Sequence, residues 1–218
     1  MSEPKNFRLI AAMPRSGSTL LLRQFNSCPE TLLMGESDFS LIHLLNFWNT
    51  AAESLMYNNP HYQGDWDNLI EKGFFPSWYN TFDKDILRDQ LHELMQKWLN
   101  PRGNKFWGCK QILFGDNNNP LFLFDNLVKV LPGAKVTVLT RDIKSVEESC
   151  KKKFCGIIPK YIYDQREFLL SCKGSRPYIT HLEYEDLTDQ DTMERYFIEQ
   201  GIQTDSDKLA ATIAKKIQ

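Results

Sequence analysis

Apolar residues follow two rhythms along this chain. Residues 7–13, 105–110, 135–140 and 178–183 are short runs rich in apolar and β-branched side chains, which predict strands; a weaker strand candidate lies at 31–34. Between them, apolar residues recur three and four positions apart over 19–26, 41–49, 84–99, 120–131, 143–153, 161–171, 190–200 and 205–216, the spacing of helices. In 84–99, Ile86, Leu87, Leu91, Leu94, Met95 and Trp98 share one predicted face. Pro132-Gly133 ends the helix before it, and the run from Asp116 to Pro120 reads as a turn and helix start. Strands alternating with helices predict an α/β fold, a P-loop-type parallel sheet flanked by helices and joined by right-handed crossovers. Residues 50–82 break the pattern: they are rich in Asn, Pro, Tyr and Trp and only weakly periodic. They read as an inserted loop or short helices over the carboxyl edge of the sheet, within a single domain spanning 1–218.

The junction after the first strand carries the most chemistry. Met13-Pro14-Arg15-Ser16-Gly17-Ser18-Thr19-Leu20 is a strand exit, a tight Gly-containing turn and the start of an apolar helix. Such a turn aims several backbone N–H groups and the positive end of a helix dipole at one point, which makes an anion site. It departs from the ATP-binding loop G-x-x-x-x-G-K-[ST]. Aligned on Gly17, Ala12 stands for the first glycine and Ser18 for the lysine, while Thr19 keeps the hydroxyl. The positive charge has moved into the turn as Arg15. The loop is suited to a phosphate-like group without the lysine that reaches a γ-phosphate.

Composition narrows the partners. A net charge of −2 argues against a general nucleic-acid binder, and Lys151, Lys152 and Lys153 read as a solvated helix face. No apolar run approaches the about 18 residues of a membrane span, and Arg8, Pro14 and Arg15 interrupt the N-terminal apolar stretch, so neither a span nor a signal peptide is expected. The five cysteines are irregularly spaced without a C-x-x-C pair, and the four histidines are scattered. These counts predict a reduced, cytoplasmic protein with no metal site.

A second anchor follows the strand at 135–140. Arg141 sits at its carboxyl end, and Ser145 and Ser149 share a face of the next helix. A guanidinium fork beside two hydroxyls suits a phosphate, although taken alone the motif reads better as Arg141 paired with a carboxylate and Ser145 serving the helix N-terminal turn. With both anchors in hand, the chain resembles the sulfotransferases that use 3′-phosphoadenosine 5′-phosphosulfate (PAPS). Pro14-Arg15-Ser16-Gly17-Ser18-Thr19-Leu20 is similar to their 5′-phosphosulfate loop, and Arg141 with Ser149 eight residues on is similar to their 3′-phosphate motif. Tyr184-Glu185-Asp186-Leu187 resembles a tyrosine-acidic motif late in their core. Gly35-Glu36 and Lys110 resemble positions of the tyrosylprotein-sulfotransferase-like branch, to which the match looks closest.

The resemblance implies a metal-free sulfuryl transfer, with PAPS as donor, 3′-phosphoadenosine 5′-phosphate (PAP) as product, and a carbohydrate, phenol, alcohol or peptide tyrosine as hydroxyl acceptor. It assigns Arg15, Glu36 and Lys110 to catalysis, and Arg15, Ser16, Gly17, Ser18, Thr19, Leu20, Arg141, Ser149 and Tyr184 to the nucleotide. Glu36 is the base candidate, set against an ordinary acid at a helix N-terminus. His43 is the rival base, although its apolar neighbours favour a packed core position; His61 could serve the acceptor, while His92 and His181 look structural. Trp48, Tyr57, Tyr62, Trp66, Trp78 and Tyr79 could line an acceptor pocket or simply pack. Two other readings stand beside this one. A P-loop small-molecule kinase would need a replacement for the lysine missing at Ser18. A catalytically inactive, sulfotransferase-like nucleotide-binding protein would explain why no basic, Gly-containing C-terminal segment has a clear counterpart.

Overall fold

In the computed structural model every neighbouring strand pair of the sheet is parallel, in the order β2-β3-β1-β4-β5. It describes residues 6–36, 40–52, 84–112, 120–153 and 160–215. The strands are β1 (Phe7–Ala12), β2 (Thr31–Glu36), β3 (Phe106–Gln111), β4 (Lys135–Thr140) and β5 (Ile179–Glu183). The helices are α1 (Ser18–Ser27), α2 (Ser40–Ala52), α3 (Lys84–Leu99), α4 (Pro120–Val130), α5 (Ile143–Lys153), α6 (Tyr161–Ser171), α7 (Gln190–Glu199) and α8 (Ser206–Ala214). A 3₁₀ turn, Tyr184–Thr188, follows β5. The α/β architecture expected from the alternation is the one observed. The weak candidate at 31–34 is a real strand that runs on to Glu36. The insert lies, from residue 53, outside the described residues.

The central strand shows why the sheet is covered on both faces. Every residue of β1 is buried, as a parallel strand between two helical layers requires. Phe7, Leu9, Ala11 and Met13 point into one core with α2 to α6, whereas Ile10 and Ala12 point into the other with α1, α7 and α8. In the second layer Phe25 meets Phe197 edge-on at 5.1 Å, which locks α1 to α7. The face predicted for 84–99 is narrower than expected. Leu87, Leu91, Met95 and Leu99 are buried, while Ile86, Leu94 and Trp98 stay substantially exposed. The helix packs through a single ridge, so its flanking apolar positions fall outside the contact.

The chain leaves β1 toward β2 with α1 on one face, then returns through β3, β4 and β5 with α2 to α6 on the other. The connections diverge at the carboxyl end of β1, so a crevice opens there, where open α/β sheets bind their ligands.

The opposite edge is secured by a buried cation. Arg8, only 3% exposed, donates to the carbonyls of Phe7 at 3.0 Å and Gln200 at 2.9 Å and lies 5.2 Å over the Phe106 ring. Lys135 donates to the Glu199 carbonyl at 3.3 Å. Together they satisfy carbonyls at the negative end of α7. Burial lowers the Arg8 pKa to about 10. Arg8→Ala should cost about 2–4 kcal/mol in urea unfolding, since it deletes charge-assisted bonds and leaves a void. Arg8→Met, which fills the volume and strands no carboxylate, should cost less; an equal cost for both would assign the stability to the hydrogen bonds alone.

Candidate functional site

The turn between β1 and α1 is built from backbone strain and two serine contacts. Ser16 is buried, and its hydroxyl donates to the Met13 carbonyl at 2.7 Å, closing the turn. Arg15 at φ 65° and Gly17 at φ 93° both lie in the left-handed region. For a non-glycine residue that conformation costs on the order of 1 kcal/mol, so surrounding contacts must hold it. Arg15 has them: its Nε donates to Ser149 Oγ at 2.8 Å, and its carbonyl accepts from Arg141 at 3.3 Å. Gly17 has no side-chain cap and precedes the first residues of α1, whose N–H groups have no carbonyl a turn behind them.

Tyr184 joins the two loops. A Cβ on Gly17 would stand 2.7 Å from Cε2 of the Tyr184 ring and closer still to Cδ2, so only glycine lets the turn sit on that ring. The Arg141 guanidinium stacks 3.9 Å above the centre of the same ring. The tyrosine is fixed by its 3₁₀ turn, where Asp186 accepts from the Glu183 N–H at 2.7 Å and Gln24 donates to the Leu187 carbonyl at 2.7 Å. Arg141 has no carboxylate partner among the described residues, and its buried Nε–H has no acceptor.

The cleft above these loops has a volume of about 590 Å³, within the usual range for small-molecule sites. Arg15, Gly17, Ser18, Thr19, Glu36, Lys110, Arg141, Ser149 and Tyr184 all line it. Leu20 does not: it is buried in the core between α1 and the sheet. The Ser16 hydroxyl serves the turn rather than the cleft. Ser145 is also outside, its N–H bonded to Asp142 at 2.9 Å in the cap of α5. That bond holds the Asp142 carboxyl below its ordinary pKa.

Lys110 and Glu36 meet across the edge of the sheet. The lysine side chain is 7% exposed and the glutamate 45%, with Nζ and Oε1 3.0 Å apart. Glu36 is thus a half-open, ion-paired carboxylate at the end of β2. His43 also departs from expectation: it lies on the exposed side of α2, away from the core. His181 bonds Thr140 at 2.9 Å and His92 packs near Trp107, both structural contacts. Trp48 is core, and the other aromatics proposed for an acceptor pocket, with His61, lie outside the described residues.

The cleft holds two groups that the sequence reading left out. Lys153 lines it, although its basic run reads as solvated; it falls four residues after Ser149, one helical turn on the same face. Tyr161 at the start of α6 lines it too. The helical spacing from Ser149 was the available signal. Among the described residues no cluster of His, Cys, Asp or Glu could hold a metal ion, and no helix is long and apolar enough to cross a membrane. Cys28, Cys109, Cys150 and Cys172 are buried free thiols; burial pushes Cys28 and Cys109 up to about 12.

No protein-family model and no curated protein sequence matches the chain. Among solved structures, the sulfotransferase domain from the curacin biosynthetic pathway is similar at TM-score 0.51 and 17% identity, over 93% of this chain and 75% of that one. A sugar kinase from a Janibacter species is similar at TM-score 0.45 and 10% identity, over 96% and 98%. A retinol dehydratase solved with retinol and PAP is similar at 0.43 and 16%, over 98% and 65%. At these identities the likeness is one of fold alone, an α/β fold with a five-stranded parallel sheet flanked by helices.

Gly17→Ala should expel the Tyr184 ring and with it the Arg141 stack. Its cost in unfolding should be about 1–3 kcal/mol, with anion affinity falling at least about tenfold by calorimetry. In a Tyr184→Ala background the stability cost should shrink to the φ penalty; an undiminished cost would mean the ring is not what excludes a side chain.

Proposed function

We propose that this protein moves a sulfuryl group from PAPS to a hydroxyl acceptor. The observation that carries the reading is a pair of arginines, Arg15 and Arg141, without carboxylate partners among the described residues. They stand at the ends of adjacent strands around a glycine turn that lacks the lysine of ATP-binding loops. Two separated cationic anchors suit a ligand with phosphate at both ends, and the orphaned Arg141 Nε–H is a donor in want of an acceptor. The fold likeness to a sulfotransferase domain supports the reading, and the closer resemblance to the tyrosylprotein-sulfotransferase-like branch rests on Arg15, Glu36 and Lys110 alone.

The donor supplies an activated sulfuryl group, which carries less charge than a phosphoryl group and needs no metal to be transferred. Arg15 and the N–H groups that open α1 bind the 5′-phosphosulfate and neutralise charge that grows on the departing phosphate. Ser18 and Thr19 add hydroxyl donors to the same group. Lys110 faces the sulfuryl end. Glu36 accepts the proton of the acceptor hydroxyl as its oxygen bonds to sulfur and the sulfur–oxygen bond to the 5′-phosphate breaks. Arg141, Ser149 and Lys153 hold the 3′-phosphate.

PAP should bind at least tenfold more tightly than AMP, because each charge-assisted contact to the extra phosphate is worth about 1.5–3 kcal/mol. Lys153→Ala should narrow that preference while leaving AMP affinity unchanged. Calorimetry with both nucleotides, with and without EDTA, measures this. Equal affinities, or binding that requires Mg²⁺, would favour the kinase reading; a PAP-selective protein that sulfates no acceptor would be the nucleotide-binding protein.

Arg15→Ala should lower the turnover rate at saturating donor far more than Arg141→Ala does. Arg15 faces charge that develops in the transition state, whereas Arg141 faces charge that is constant throughout. Steady-state kinetics of the two variants separate these roles; a loss confined to donor affinity in both would refute them.

A further inference from the structure

Glu36 is the one acidic residue among those lining a cleft that contains Arg15, Lys110, Arg141 and Lys153. It stands against the most buried of these cations. Lys110 is in β3, and its ammonium has no other ion-pair partner among the described residues. A cation this far from water requires a counter-charge. Glu36 supplies it through a local irregularity. Met34 pairs with Cys109, but Glu36 rather than Gly35 pairs with Lys110, so the register slips by one residue between them. Side chains alternate along a strand, and a regular strand would set Gly35 opposite Lys110 and carry Glu36 one position on, to the other face. A side chain at Gly35 would meet no described atom within 4 Å, so crowding at that position does not force the slip. What the bulge achieves is this ion pair.

We propose that the Lys110–Glu36 ion pair is an autoinhibitory latch that the incoming donor opens. The inference rests on the function proposed above. While the cleft has no anion, Lys110 holds the carboxylate that would serve as base. An incoming phosphosulfate takes over as counter-charge to Lys110. Glu36, half exposed, then swings free toward the acceptor. Donor and base compete for one ammonium, so the base is released only when the donor is seated, and the donor must bind before the acceptor. Competition also means that Glu36 opposes donor binding.

That last consequence gives the test. Calorimetry is run on the whole chain with two probes, PAP and inorganic pyrophosphate, for wild type, Glu36→Gln, Lys110→Met and the double variant; thermal melts verify folding, and Lys110→Gln replaces Lys110→Met if the latter does not fold. Glu36→Gln should bind both probes about three- to tenfold more tightly, the worth of losing a competing, partly screened ion pair. In the Lys110→Met background the same substitution should change nothing. In assays of transfer, Glu36→Gln should at once bind donor more tightly and turn over about 10²–10⁴-fold more slowly. An unchanged affinity in Glu36→Gln, or a gain that persists without Lys110, overturns the latch. Undetectable binding of both probes to every variant removes the anion site and the latch with it. The pyrophosphate cycle stands apart from the identity of the donor: a protein that ignores PAP yet shows the cycle keeps the latch and loses the donor reading. One that prefers PAP but shows a flat cycle does the reverse.

Discussion

The Tyr184 ring, held between Gly17 and the Arg141 guanidinium, is the contact on which the rest of the site depends. It is the floor for two loops that leave neighbouring strands. Above it the loops are interlocked: Arg141 donates to the carbonyl of Arg15, and Arg15 donates to Ser149 on the helix that Arg141 precedes. Arg15 sits in a disfavoured backbone region, and Arg141 carries an unsatisfied buried donor. Both are costs of preorganisation, which a bound anion would offset.

Electrostatics give the cleft its direction. At one end, among the described residues, neither the two arginines nor Lys153 has an acidic partner. At the other end Lys110 is neutralised by Glu36. The cationic end of the cleft and its one acidic lining residue among the described residues are thus set apart. The shape of the sheet enforces that separation. Arg15 follows the central strand and Arg141 its neighbour on one side, while Lys110 lies in the neighbour on the other side and Glu36 ends the edge strand beyond. Strand order across the sheet, not chain order, becomes the order of these groups along the cleft.

Much of this was legible in the residues themselves. Strand and helix periods depend on local sterics and on which face must be buried, so the run at 135–140 and the helices at 84–99, 143–153 and 161–171 have the boundaries their patterns predict. The anion turn was legible for the same reason: a glycine turn between a strand and an apolar helix has few geometries open to it. Leu20 illustrates the limit. It belongs to the motif by position, yet helical period turns it into the core.

What the chain alone determined was the α/β alternation, the glycine turn and the two arginine loops, because each is set within a few consecutive residues. What only the tertiary structure decided were relations across strands. The register slip at Gly35 brings Glu36 opposite Lys110, although the residues lie far apart in the chain and nothing local demands a bulge. The ring of Tyr184 lies under Gly17 only once β5 and the 3₁₀ turn reach the end of β1. Lys153, exposed on its helix, also lines the cleft, one turn beyond the Ser149 that is tied to Arg15. Periodicity assigns a residue to a face of its own element; which neighbour that face meets is settled by packing of the whole sheet.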